Sequence, residues 1–239
     1  MIKLIKVENY NEVSKKAFEI MKEVLDKKTV TLGLATGSSP IGLYERMVDS
    51  YNKNEISFKD VTTFNLDEYI GLDVNHPESY SSFMNRNLFS KVDINKNNIN
   101  LPKNGSDSKL SEEYEDLLSN HQIDLQLLGI GSNGHIGFNE PGTSFDSLTH
   151  IVDLNESTIQ DNARFFDNDI SKVPTQARSM GLATIMKSKK ILLIATSENK
   201  AQAIYDMIHG EVTIDCPASI LQNHPDVTVI VDEDAAKLI

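Results

Sequence analysis

The sequence predicts a three-layer αβα fold, an α/β arrangement on a mainly parallel, Rossmann-like sheet, and three observations carry that prediction. Short apolar runs rich in β-branched residues alternate with amphipathic stretches, the pattern of strands joined by crossover helices. The chain has 239 residues, 39% hydrophobic and 24% charged, enough for one domain with a large core. No internal repeat, low-complexity tract or linker divides it. A single domain over residues 1–239 is expected, with a lid segment at 155–178.

The elements follow in order. Lys3–Val7 alternates as a strand. Asn9–Asp26 is a helix: Asn9 can cap it, Glu12 follows three residues later, and Val13, Ala17, Ile20, Met21 and Val24 trace one face. Val30–Ala35 and Val61–Asn65 read as strands, with a helix at Pro40–Asn54 between them. Helices are expected at Tyr80–Ser90 and Ser106–Asn120, and the Asn/Lys-rich stretch Asp93–Asn104 as a surface loop. Leu125–Gly129 and Thr149–Asp153 are further strands, then a helix at Glu156–Phe166. The strand Ile191–Thr196, the helix Lys200–His209, the strand Val227–Val231 and a last helix at Asp232–Leu238 complete the chain.

Bulk chemistry narrows the function classes. A net charge of −12 disfavours nucleic acid, whose phosphates need an excess of lysine and arginine. An anionic substrate must then be drawn by a local site. No apolar run reaches the ~20 residues of a membrane span. The lone Cys216 cannot form an internal disulfide, no Cys/His pair has zinc spacing, and no signal-peptide core opens the chain. A cytoplasmic protein without metal or cofactor, acting on a small molecule, is the expectation.

In parallel sheets ligands bind at the carboxyl ends of strands, so the loops there are the places to search. Thr36-Gly37-Ser38-Ser39-Pro40 follows one strand and opens a helix. Small residues let backbone N–H groups approach a phosphate; a plain serine-capped helix start reads equally well. Asn65-Leu66-Asp67-Glu68-Tyr69 follows another strand. Adjacent acids there are most often a helix cap or solvated turn; the alternative is a carboxylate base in a cleft.

The most informative loop runs from Gly129 to Gly142. Gly129, Gly131 and Gly134 spell G-x-G-x-x-G, but that nucleotide fingerprint must open a helix. Gly137, Pro141 and Gly142 interrupt one here. His135 and Glu140 instead suggest a pair in which the carboxylate orients the imidazole as a proton carrier. Arg164 and Lys200 are candidates for the local cation.

Together these motifs, in this order, resemble the glucosamine-6-phosphate deaminase family along nearly the whole chain. The stretch Gly137-Phe138-Asn139-Glu140-Pro141 is the most specific part. Related 6-phosphogluconolactonases share a Gly-His loop without that continuation. The resemblance implies conversion of glucosamine 6-phosphate to fructose 6-phosphate and ammonia. It implies catalytic roles for Asp67, Asn133, His135 and Glu140, and substrate binding by Thr36, Gly37, Ser38, Ser39, Glu68, Arg164 and Lys200. No cofactor is implied.

Two departures stand out. Many family members carry aspartate where this chain has Asn133, so Glu140 would be the one nearby negative charge on His135. Some members are allosteric hexamers with basic residues shortly after the Glu-Pro; Thr143–Asp153 contains no lysine or arginine, and no activation by N-acetylglucosamine 6-phosphate is expected. A monomer or small homo-oligomer is expected. The alternatives are a lactonase, which needs no base at C2, and a non-catalytic sugar-phosphate sensor, which would carry a basic DNA-binding unit.

Overall fold

The computed structural model describes residues 2–239. Ten strands run β1 (Ile2–Lys6), β2 (Val30–Leu34), β3 (Val61–Asn65), β4 (Asp67–Tyr69), β5 (Ile99–Asn100), β6 (Leu125–Leu128), β7 (His150–Asp153), β8 (Gln176–Ser179), β9 (Ile191–Ala195) and β10 (Val227–Val231). The helices are α1 (Tyr10–Leu25), α2 (Ile41–Asn52), α3 (Tyr80–Asn87), α4 (Lys109–Ser119), α5 (Glu156–Asn162), α6 (Leu182–Met186) and α7 (Ala201–His209). Seven strands form the central sheet in the order β1-β10-β9-β6-β2-β3-β5, each neighbouring pair parallel. Helices flank it, which makes an α/β fold. No helix among the described residues is long and apolar enough to cross a membrane.

Local signals work where the periodicity is strong. Asn9 accepts the Glu12 N–H at 3.1 Å, and Val13, Ala17, Met21 and Val24 are buried along α1. Ile20, assigned to the same face, is only partly buried. Strands β9 and β10 are buried almost throughout, as continuous apolar runs require when helices cover both faces.

Several expectations need correction. Residues 150–153 do not join the central sheet: β7 pairs antiparallel with β8, and β8 with β4, in a separate three-stranded sheet. The stretch Asp93–Asn104 is not wholly loop, since β5 pairs beside β3. Residues 233–238 form successive turns, not a helix. The helices expected at 80–90 and 156–166 break after Asn87 and Asn162 into 3-10 turns.

Arg178 on β8 is fully buried. Its guanidinium donates to Ser111 Oγ at 2.8 Å, to the Asp107 carbonyl at 2.7 Å and to the Lys103 carbonyl. Burial lowers its pKa, while the charges of Asp107 and Glu113 oppose that. It ties the small sheet to the loop before α4. Arg178→Met should cost about 1–3 kcal/mol by leaving buried acceptors unpaired, read as a lower midpoint in urea unfolding; an unchanged midpoint would refute that role.

Candidate active site

The central sheet reverses its strand order between β2 and β6, and such switch points open a crevice at the carboxyl ends of the strands. The cleft lies there. Thr36, Gly37, Ser38 and Ser39 from the end of β2, Asp67 after β3, His135 after β6 and Lys200 after β9 all line it, with Arg164 from the segment after α5. The Gly37, Ser38 and Ser39 N–H groups have no acceptor among the described residues, so they remain open to an anion in the cleft.

Asp67 and Glu68 point to different tasks because side chains alternate along a strand. Asp67 lines the cleft and is 6% exposed. Burial, with a smaller push from the Glu68 charge, raises its pKa to about 8. Glu68 is not among the residues that line the cleft. Its carboxylate accepts backbone N–H groups of Tyr69, Tyr80 and Ser81, each at 2.9 Å, and so anchors the start of α3. Burial raises its pKa, while those three N–H groups pull the other way.

The loop from Gly129 to Gly142 is a chain of turns that opens no helix, so the glycine pattern is not a dinucleotide fingerprint. Gly131 N–H donates to the His135 carbonyl at 2.9 Å. The imidazole folds back over Gly131, where a Cβ would fall 2.3 Å from the ring. At Gly137, φ is +59°, and a Cβ there would lie 3.6 Å from Asp67 Oδ2. The histidine loop and the aspartate therefore share one pocket.

Behind His135 stands Glu140, 5% exposed. Glu140 Oε2 lies 3.5 Å from His135 Nδ1, within ion-pair reach but beyond a well-formed hydrogen bond. The same oxygen accepts Asn133 Nδ2 at 2.8 Å and Asn155 Nδ2 at 3.1 Å, and Oε1 accepts the Thr158 hydroxyl. Burial alone would raise the Glu140 pKa; the contact with His135, then Thr158 and Asn133, outweigh it and hold the carboxyl at about 2. Asn133 does not line the cleft. Its side-chain NH2 donates to Glu140 while its side-chain oxygen accepts the main-chain N–H of His135 at 3.2 Å, a bridge that an aspartate could not make with both carboxyls ionised.

Burial pushes the Lys200 pKa down, Asp161 opposes this, and the Arg164 charge adds to it. Sequence reasoning missed the aromatic wall. Tyr69, Tyr80 and Phe138 line the cleft with centroids 4.9–6.0 Å apart, and Asn162 donates to the Tyr69 hydroxyl at 2.9 Å. It also missed Thr158 and Asn155. Among the described residues, no three His, Cys, Asp or Glu side chains gather as a metal site would need.

The profile of the family described as glucosamine-6-phosphate isomerases/6-phosphogluconolactonase matches residues 6–230. A glucosamine-6-phosphate deaminase of Mycoplasma mycoides is 54% identical, covering 98% of this chain and 96% of its own length. One from Listeria monocytogenes is 53% identical over the whole of both chains. A solved structure of a monomeric glucosamine-6-phosphate deaminase superposes with a TM-score of 0.96 at 43% identity, covering 99% of this chain and all of the other. A 6-phosphogluconolactonase from Trypanosoma brucei, 16% identical with a TM-score of 0.80, shares the fold across 99% of this chain and 98% of its own. This chain belongs to the glucosamine-6-phosphate isomerase/6-phosphogluconolactonase family.

Proposed function

We propose that this chain converts glucosamine 6-phosphate and water to fructose 6-phosphate and ammonia. One observation carries the reading: a buried aspartate with its pKa pushed to about 8 shares a cleft with a histidine backed by a carboxylate held at about 2. A pyranose with an amine at C2 needs two proton carriers, one for ring opening and one for carbon chemistry.

His135 moves the first proton, from the C1 hydroxyl to the ring oxygen, as the ring opens. Glu140 holds the imidazole for that transfer, and Asn133 positions both. Asp67 then takes the C2 proton of the open aldehyde and returns it to C1. In the same isomerisation the aldehyde oxygen takes up a proton and the amine nitrogen gives one up, which leaves an alcohol at C1 and an imine at C2. Water adds to that carbon and ammonia departs, so atoms and charge balance. A carboxyl with a pKa near the working pH suits a base that must also give its proton back. Glu68 contributes to Asp67 through its charge.

The N–H and hydroxyl groups of residues 36–39, with Arg164 and Lys200, hold the phosphate. Binding that remote group fixes the reacting carbons against Asp67. The lid is the part of 155–178 that precedes β8, since β8 is paired on both sides. The likeness to a monomeric glucosamine-6-phosphate deaminase, 43% identical with a TM-score of 0.96, supports a monomer as the catalytic unit, and an ionic sugar phosphate as substrate supports a cytoplasmic location.

The test is ammonia release from glucosamine 6-phosphate by the purified protein, with and without a strong chelator. Equal turnover in both is expected. A protein that releases no ammonia overturns the reading, and activity lost only with chelator overturns the metal-free mechanism.

A further inference from the structure

Ser197, just past the end of β9, has φ 82° and ψ 149°, a backbone region essentially confined to glycine. A residue with a side chain stays there only where its surroundings over-determine it. The restraint comes from the neighbouring strand. Both carboxylate oxygens of Asp232, which follows β10, accept the Ser197 N–H, at 3.1 and 3.2 Å. Asp232 is 8% exposed, and its Oδ1 also accepts the Ala235 N–H at 2.8 Å.

The strained residue begins the turn that carries a cation of the cleft. Residues Glu198–Lys200 form one 3-10 turn, and the Lys200 N–H donates to the Ser197 carbonyl at 3.1 Å. The direction of that carbonyl therefore sets where the turn begins and where Lys200 leaves the backbone. If the peptide before Ser197 rotated to an ordinary conformation, the strain would be relieved and the turn re-aimed.

We infer that Asp232 is a positioning residue for the phosphate subsite, holding Ser197 in the conformation that presents Lys200 to the cleft. The inference rests on the proposed sugar-phosphate reading. Asp232 touches no substrate; it acts through one N–H and one turn. Strained backbone persists at ligand clamps for this reason, as pre-organisation of a group that must meet its ligand in one place.

Three proteins test it: the wild type, Asp232→Ala, and Asp232→Ala combined with Ser197→Gly. The readouts are KM and kcat for glucosamine 6-phosphate and the dissociation constant of inorganic phosphate by calorimetry. Asp232→Ala, which removes every side-chain acceptor, should raise KM and the phosphate constant about tenfold, with kcat changed less than about threefold. The double variant should return both constants to within about threefold of wild type, because glycine adopts the conformation without an anchor. Loss of the Ala235 contact is not repaired by glycine at 197, so rescue separates positioning from a purely structural role. Should Asp232→Ala fail to fold, Asp232→Glu, which keeps the charge and shifts the acceptors by a methylene, replaces it with the same expected pattern. Wild-type phosphate affinity in the single variant, or no recovery in the double, overturns the inference. A wild type that binds phosphate but releases no ammonia counts against the deaminase reading alone, since the phosphate comparison still decides the role of Asp232.

Discussion

Asp67→Asn is expected to lower kcat for ammonia release by about 10²–10⁴-fold, the usual contribution of a positioned general base, and at the same time to stabilise the fold at alkaline pH. Asparagine nearly matches the protonated side chain in shape but cannot take the C2 proton. Ring opening, which runs through His135, should survive, so trapping of the open-chain aldehyde remains measurable while deamination is lost. A lactonase would need no base at C2, and a variant with turnover within tenfold of wild type would therefore remove Asp67 from the mechanism.

The stability half of that prediction follows from linkage. The folded pKa of about 8 lies above the ordinary value of 3.8. Between those two pH values the native state keeps a proton that the unfolded state has released, so unfolding free energy falls as pH rises. The contribution is fully present below about pH 4 and gone above about pH 8. Thermal melts of the wild type should thus weaken across that window, and the asparagine variant should lack this part of the slope. Parallel melting curves for the two proteins from pH 5 to pH 9 would contradict a buried, reluctant carboxylate at 67. In the wild type, kcat/KM should decline as pH drops below about 8, because the base is then increasingly protonated in the free enzyme.

Glu140→Gln has the second large effect and the opposite pH signature. Asn133, Asn155 and Thr158 all donate to the carboxylate. A glutamine amide would set its own donors against at least one of them and remove the charge facing His135. Ring opening should slow by about 10²-fold or more. The folded pKa of about 2 lies below the ordinary 4.5, so the wild-type carboxylate contributes stability above about pH 4.5 that is lost as pH falls toward 2. The glutamine variant should melt earlier than wild type at pH 7, and the gap should close in acid. A gap that stays constant from pH 7 to pH 3 would show that the charge is not what stabilises this network.

Glu68 shows where reading the sequence reaches its limit. The acid pair 67–68 was legible as either a helix cap or a catalytic carboxylate, and the structure divides it between the two. Glu68 anchors the helix that begins at Tyr80, while Asp67 lines the cleft. Adjacent residues on a strand face opposite ways, but which way is in depends on what packs above, and that comes from β8 and α3. The small sheet β4-β8-β7 escaped for a related reason. Its strands β4 and β8 are short and carry little apolar alternation, and their pairing joins residues 67–69 to 177–179 across the chain. The partners of Glu140 at 155 and 158 are ordinary helix-start residues in sequence; only the return of that helix over the histidine loop makes them donors.

The linear chain was enough to determine the parallel α/β class, the strand ends on which Thr36–Ser39, Asp67, His135 and Lys200 stand, and the glycine-rich turn that carries the histidine. Those are consequences of local periodicity and of backbone chemistry, which short stretches encode. The folded molecule alone decided the environment of each group: the water excluded from Asp67, the four contacts around Glu140, the bond from Asp232 that holds Ser197. Proton affinity and side-chain aim arise from desolvation and from neighbours distant in sequence, so they exist only once those parts of the chain have met.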